Sequence, residues 1–318
     1  MSIKLTDIQK RRLSILKPQF EKAIFSKDLK TAKIVLNDIQ STLNLNNHST
    51  LLAQYRNWFF ELALDTDQYA LAESGFISVR RSVSKNTRIH LEASALLAIC
   101  YLRFSNVEKA KPLIKEVLNN NHVIKTERTR RLFNKNIIQR FDEEVALYSL
   151  KDKYNIKSDY TLETLENEVS LLVGTKTEDE LFKLLGNNVP ETTKSLLFEV
   201  DSFAKNQLPS AERILLTSPQ DAIKDEETGK TVFKSFKRTI YNSICDQNSA
   251  VYKMWNDKVV GSVVNSKYII GAVAAALSSI SIGFHALIVT AAALVIRFGL
   301  DVYCEHYKPA GIMETRKK

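Results

Sequence analysis

Cys304 and His306 stand two residues apart, a spacing at which a thiolate and an imidazole could share a metal ion. No further Cys or His lies near them to complete a ligand set, so no metal site is expected there. Cys100 lies in an apolar helical stretch and reads as packed core rather than as a nucleophile. His285, inside a long apolar run, reads as a hydrogen-bonded core residue rather than a proton relay. The sequence contains no phosphate-binding glycine loop, no Gly-x-Ser-x-Gly elbow, no His-Glu-x-x-His and no Cys-x-x-Cys. No catalytic, cofactor-binding or metal-ligating set is therefore assigned, and a noncatalytic protein is expected. The cysteines Cys100, Cys245 and Cys304 are far apart and no secretory leader pattern opens the chain. These features lead to an expectation of reducing, cytosolic surroundings and no disulfide framework.

Charge suggests binding rather than chemistry. The net charge of +9 suits an anionic partner: a phospholipid surface, a nucleic acid or an acidic protein. Two basic clusters stand out. Arg80, Arg81, Lys85 and Arg88 surround one helix junction. Lys125, Arg128, Arg130, Arg131, Lys135 and Arg140 form a denser anionic-partner patch. Aromatics are not interleaved there in a stacking pattern, and Glu127 stands at helical spacing from Arg131 for an ion pair.

The elements that must position these residues are helices. Nine Gly and six Pro in 318 residues, with abundant Leu, Ile, Lys, Glu and Ala, predict an all-α fold. The first third repeats itself. Ala32, Ala72 and Ala110 are spaced 40 and 38 residues apart. Each is preceded at −12 and −9 by Phe20 and Ala23, Phe60 and Ala63, or Ala98 and Tyr101. Each is followed at +4 and +7 by Leu36 and Ile39, Phe76 and Val79, or Ile114 and Val117. These offsets place one apolar face on each of two successive helices, with polar turns between them. The pattern resembles tetratricopeptide-like helical-hairpin repeats over roughly residues 8–122. The match is best at 90–122, where Ala98, Tyr101, Ala110 and Ile114 fall at the family's small, aromatic, small and bulky positions. The repeat Trp, Gly and terminal Pro of that family are missing and the period is longer. The resemblance implies protein binding by stacked helices.

Further along, Leu162, Leu165, Val169 and Leu172 follow helical spacing. Thr177 with Glu180 forms a capping-box signature ahead of a short helix ending near Gly186. A helix over Glu191–Gln207 follows. The polar run Asp225-Glu226-Glu227-Thr228-Gly229-Lys230 reads as a surface loop or hinge. Val232–Trp255 then reads as a basic amphipathic helix, with Phe233, Phe236, Ile240, Ile244 and Val251 on its apolar side. It suits either a membrane surface or a core position.

Tyr268–Ile296 carries no charged side chain over twenty-nine residues. As one helix at ~1.5 Å per residue it reaches about 43 Å, longer than the ~30 Å of a hydrocarbon core. Split in two, each half is too short to cross. Gly271, Ala275, Ser279 and Gly283 recur every four residues as a helix-association ridge. Lys253, Lys258 and Lys267 precede the segment, and Arg297, Lys308, Arg316, Lys317 and Lys318 follow it.

The expected organisation is a helical-hairpin repeat array over 1–140 and a helical middle region over 141–224. A basic amphipathic segment over 225–267 follows, then the apolar segment and basic tail over 268–318. The first functional expectation is a membrane-associated protein with a cytoplasmic repeat domain that binds a protein partner. The apolar helix would anchor, self-associate or perturb the bilayer. This layout is similar to the sensor-plus-hydrophobic-effector arrangement of bacterial membrane-disrupting defence proteins. The alternative is a soluble cytoplasmic scaffold or complex subunit with the apolar segment buried in its core or an interface. A third reading is nucleic-acid binding through the 125–140 cluster.

Overall fold

The computed structural model describes residues 4–44, 48–153, 160–246, 249, 252–253 and 266–316. Val251, Trp255, Lys258, Lys317 and Lys318 lie outside the described residues. The fold is all-α, with no strand among the described residues. The chain divides into two compact units, 1–137 with 310–318, and 138–309. Thus the three sequence regions beyond residue 140 belong mainly to one unit, while the closing segment belongs to the first.

The first unit holds three helical hairpins. They are α1 (Asp7–Phe25) with α2 (Leu29–Asn44), α3 (Ser49–Asp65) with α4 (Tyr69–Ser82), and α5 (Arg88–Arg103) with α6 (Val107–Asn119). A capping box opens α1, where Thr6 Oγ1 accepts the Gln9 N–H and Gln9 Oε1 accepts the Thr6 N–H. One turn geometry serves all three hairpins. Lys27, Asp67 and Ser105, each five residues before its reference alanine, take left-handed φ of 56°, 59° and 53°. The next residue's N–H then reaches back to the carbonyl of Ala23, Ala63 or Tyr101, at 2.9, 2.8 and 3.0 Å. This closes the first helix in the manner of a Schellman motif. The alanine N–H bonds Asp28, Gln68 or Asn106 and starts the second helix. Ala32, Ala72 and Ala110 are fully buried, each in the first turn of its hairpin's second helix. The Phe20 ring meets Tyr55 and Trp58 edge-on at 5.5 and 6.0 Å, joining the first hairpin to the second.

Helix α7 (Glu127–Lys153) carries the chain across the boundary between the units, at residues 137/138. The second unit continues with α8 (Leu162–Thr175), α9 (Glu178–Asn187), α10 (Glu191–Asn206), α11 (Ser210–Arg213) and α12 (Asp225–Ile244). Thr177 and Glu180 form the capping box of α9. The expected hinge at 225–230 is the first turn of α12 instead. Asp225, Glu226 and Glu227 favour that position because acidic side chains complement the helix N-terminus, and Lys230 bonds both glutamates at 2.5 and 3.1 Å. Gly229 is needed there for close approach. A Cβ on it would lie 1.9 Å from the Phe182 carbonyl oxygen, and one on Gly186 would lie 1.7 Å from that of Asp225. The two glycines let α9 and α12 cross backbone to backbone.

Of the forms open to Tyr268–Ile296, one long spanning helix or a bent or buried hairpin, one long helix is not found. The stretch folds as two fourteen-residue helices, α13 (Ser266–Ser279) and α14 (His285–Phe298). A left-handed turn separates them. At the end of α13 Ser279 Oγ bonds the Ala276 carbonyl. Ser281 turns left-handed at φ 62°, and the Ile282 N–H returns to Leu277. No single helix among the described residues is long and apolar enough to cross a membrane. Among the described residues, α14 and α15 (Leu300–His306), bent by 95° at Gly299, reach that length and apolarity only when taken together. Leu287 through Val295 are all buried, packed by α8, α9 and α13. The apolar face of α12 is likewise buried, against α9 and α13.

Candidate peptide-binding site on the first unit

The candidate site is built by two acidic residues set among apolar neighbours. Glu61 follows Trp58-Phe59-Phe60 on α3 and is 6% exposed; Glu92 lies between Leu91 and Ala93 on α5 and is 0% exposed. An ionised carboxylate in such surroundings is costly unless charged or N–H donors meet it. Both find donors in α16 (Ile312–Thr315) and its flanks. Glu61 Oε1 accepts the Ile312 N–H at 2.5 Å, and Oε2 accepts the Met313 N–H at 3.0 Å. The carboxylate thereby satisfies N–H groups that a helix start leaves open. Gly311 fits because a Cβ there would approach Glu61 Oε2 to 2.9 Å. The Gly311 N–H bonds Glu314 Oε2 at 3.2 Å, and the Met313 side chain is buried at 2% exposure. Arg316 Nη1 donates to Glu92 Oε2 at 3.0 Å, while Arg88 Nε holds Oε1 at 2.8 Å. Burial pushes the Glu92 carboxyl above its usual range, and the two guanidiniums pull against that shift.

A second polar cluster links α4, α5 and α6. Arg80 Nη2 meets Glu116 Oε2 at 2.7 Å, and His90 Nε2 and Ser94 Oγ reach Oε1 at 2.7 and 3.0 Å. Burial raises the Glu116 carboxyl, but hydrogen bonds from His90 and Ser94 and the Arg80 charge outweigh it and leave the pKa lowered. Ser94 bonds the carboxylate and Arg80, and His90 bonds the carboxylate and the Arg80 carbonyl. A hydroxyl aimed at an imidazole, as a nucleophile–base pair requires, is not among these bonds.

Of the anionic-partner patch, Lys125, Arg128, Arg131 and Lys135 are exposed and Arg130 is partly so. Arg131 pairs with Glu127 at 2.5 Å. Arg140 stands apart from the others: it is buried and ion-paired to Glu144. Arg80 and Arg88 of the other cluster are held by Glu116 and Glu92. On the association ridge, Ala275 and Ser279 are exposed, and a Cβ on Gly271 would meet only Leu162 Cδ1, at 3.8 Å. Gly283 lies in the turn beyond α13 and so is not on the ridge.

The expectation of no disulfide is overturned. Cys245, capping α12, is bonded to Cys304 on α15, with Cα atoms 5.5 Å apart across 59 residues of sequence. Cys304 is thus covalently engaged, which removes the Cys304–His306 pairing as a metal hint. Among the described residues no group of three His, Cys, Asp or Glu is placed to hold a metal.

Glu61, Glu92 and Met313 were not picked out from sequence. The signal available was an acid set among apolar neighbours, Glu61 after Trp58-Phe59-Phe60 and Glu92 between Leu91 and Ala93. Comparison with known protein families, curated proteins and solved structures returns no match.

Proposed function

We propose that the chain is a noncatalytic interaction protein. Its first unit is an array of tetratricopeptide-like hairpins that binds a protein segment. The apolar hairpin α13–α14 belongs to the core of the second unit, in line with the scaffold reading. The observation that carries the proposal is the seating of residues 311–316 on Glu61 and Glu92, a main-chain and side-chain recognition of a peptide. The common turn and buried alanines of the three hairpins support the array. The burial of Leu287–Val295 supports an internal hairpin. Detergent-free fractionation followed by sizing tests it. Recovery as a discrete particle without detergent is expected. Recovery only from the membrane fraction with detergent would return the account to the anchoring reading, for which the bent α14–α15 pair would be the candidate.

A further inference from the structure

We propose that Glu61 and Glu92 form a docking site for a helical turn of a partner protein. The ligand carries a glycine, an apolar residue and a methionine, then an arginine three residues after the methionine. Residues 311–316 of this chain occupy the site as an intramolecular stand-in. The inference rests on the interaction reading of the first unit and names the chemistry its partner must have.

The seat reads three features of its occupant. Glu61 accepts two consecutive main-chain N–H groups, a contact any helix start provides whatever its sequence. The position before those N–H groups favours glycine, because a Cβ there would come within 2.9 Å of Glu61 Oε2 and the carboxylate would have to shift to admit it. Specificity then comes from Met313, buried in the seat, and from Arg316 on Glu92. Glu92 has no exposure and its second oxygen is already taken by Arg88, so it presents one oxygen to one guanidinium. An arginine meets that demand with a planar donor whose charge is permanent. The stand-in itself is a single turn of four residues, too short to be helical by itself. It therefore owes its shape to the seat, and a segment of the same chemistry in a partner can take its place.

The test uses the full chain. Met313→Asp with Arg316→Glu unseats the chain's own segment, and a fluorescein-labelled peptide of residues 308–316 is titrated by anisotropy. The unseated chain should bind the peptide at least tenfold more tightly than the wild-type chain does. Replacing the peptide's arginine by alanine, or Glu92 by Gln in the unseated chain, should each weaken binding at least tenfold. Should the double variant fail to fold by circular dichroism, Gly311→Val, which crowds Glu61, serves the same comparison. Equal binding by folded wild-type and unseated chains, or binding indifferent to the arginine, overturns the proposal. Those outcomes leave the fractionation result untouched, and a failed fractionation leaves the peptide comparison readable.

Discussion

Asp142 on α7 shows what a single buried charge does to this protein. Its Oδ1 is sealed from solvent beside Asp201, which Lys205 Nζ meets at 2.5 Å. Burial first, then the Asp201 charge, hold the Asp142 carboxyl well above the usual range, with Lys205 pulling against them. Asp201 is also raised by burial, with Lys205 opposing. Two carboxyls share one ammonium, so the neutral arrangement keeps a proton on the pair. The sign of the pH effect follows. Once pH exceeds the ordinary carboxylate range, the unfolded chain has released protons that the folded chain still holds. Stability therefore falls as pH rises towards the raised value. Asp142→Asn leaves Asp201 and Lys205 as a balanced pair. It should raise stability at neutral pH by about 1 kcal/mol or more, and flatten the decline above the ordinary carboxylate range. Thermal melts from that range upward measure both effects. An unchanged slope would remove Asp142 as the cause.

At the scale of elements, helix existence was legible from sequence because period and capping agree locally. The capping box at Thr177, the helix over Glu191 and the repeated hairpin offsets all rest on contacts within a few residues. What was not legible depends on partners distant in sequence. The acidic run at 225–227 looks like a solvated loop until α9 is seen packed on Gly229. That crossing is sharply testable. Gly229→Ala or Gly186→Ala forces a Cβ onto a carbonyl oxygen of the facing helix and should cost about 2 kcal/mol or more, as overpacking does. Gly174→Ala on α8 meets nothing within 4 Å and should instead stabilise by about 0.5–1 kcal/mol. Denaturant melts of the three variants should therefore shift in opposite directions. Unchanged or raised stability of Gly229→Ala and Gly186→Ala would contradict the close crossing.

The Cys245–Cys304 bond was hidden for the same reason, since nothing local in either sequence neighbourhood says that α12 and α15 end side by side. Its loop of 59 residues encloses the whole α13–α14 hairpin. Cross-linking a loop of that length stabilises by about 4 kcal/mol on the chain-entropy account. Cys245→Ser should lower the melting temperature, with reductant then having no further effect. Thiol titration of the denatured wild-type chain should find Cys100 alone before reduction and all three cysteines after it. Three reactive thiols without reductant would contradict the bond.

For the whole molecule, the site was the least legible part. Glu61 and Glu92 gain their meaning only when residues 311–316, more than 200 positions further on, fold back onto the first unit. The apolar stretch was visible at once, but its surroundings were not, because Leu and Ala meet lipid and protein core equally well. In the fold the ambiguity is narrower. Two fourteen-residue helices replace one long one, and the second is enclosed by α8, α9 and α13. Polar bonds fix both helices to α8: Lys267 to Glu166 at 3.5 Å, His285 to Glu168 at 2.8 Å, and Arg297 to the Val173 carbonyl at 3.0 Å. These contacts give the hairpin a protein environment of its own. Hydrogen exchange across Leu287–Val295, in detergent-free buffer with and without anionic phospholipid vesicles, tests that claim most directly. The account predicts amides strongly protected in buffer alone and unchanged when vesicles are added. Unprotected amides in buffer that become protected only with vesicles would contradict it.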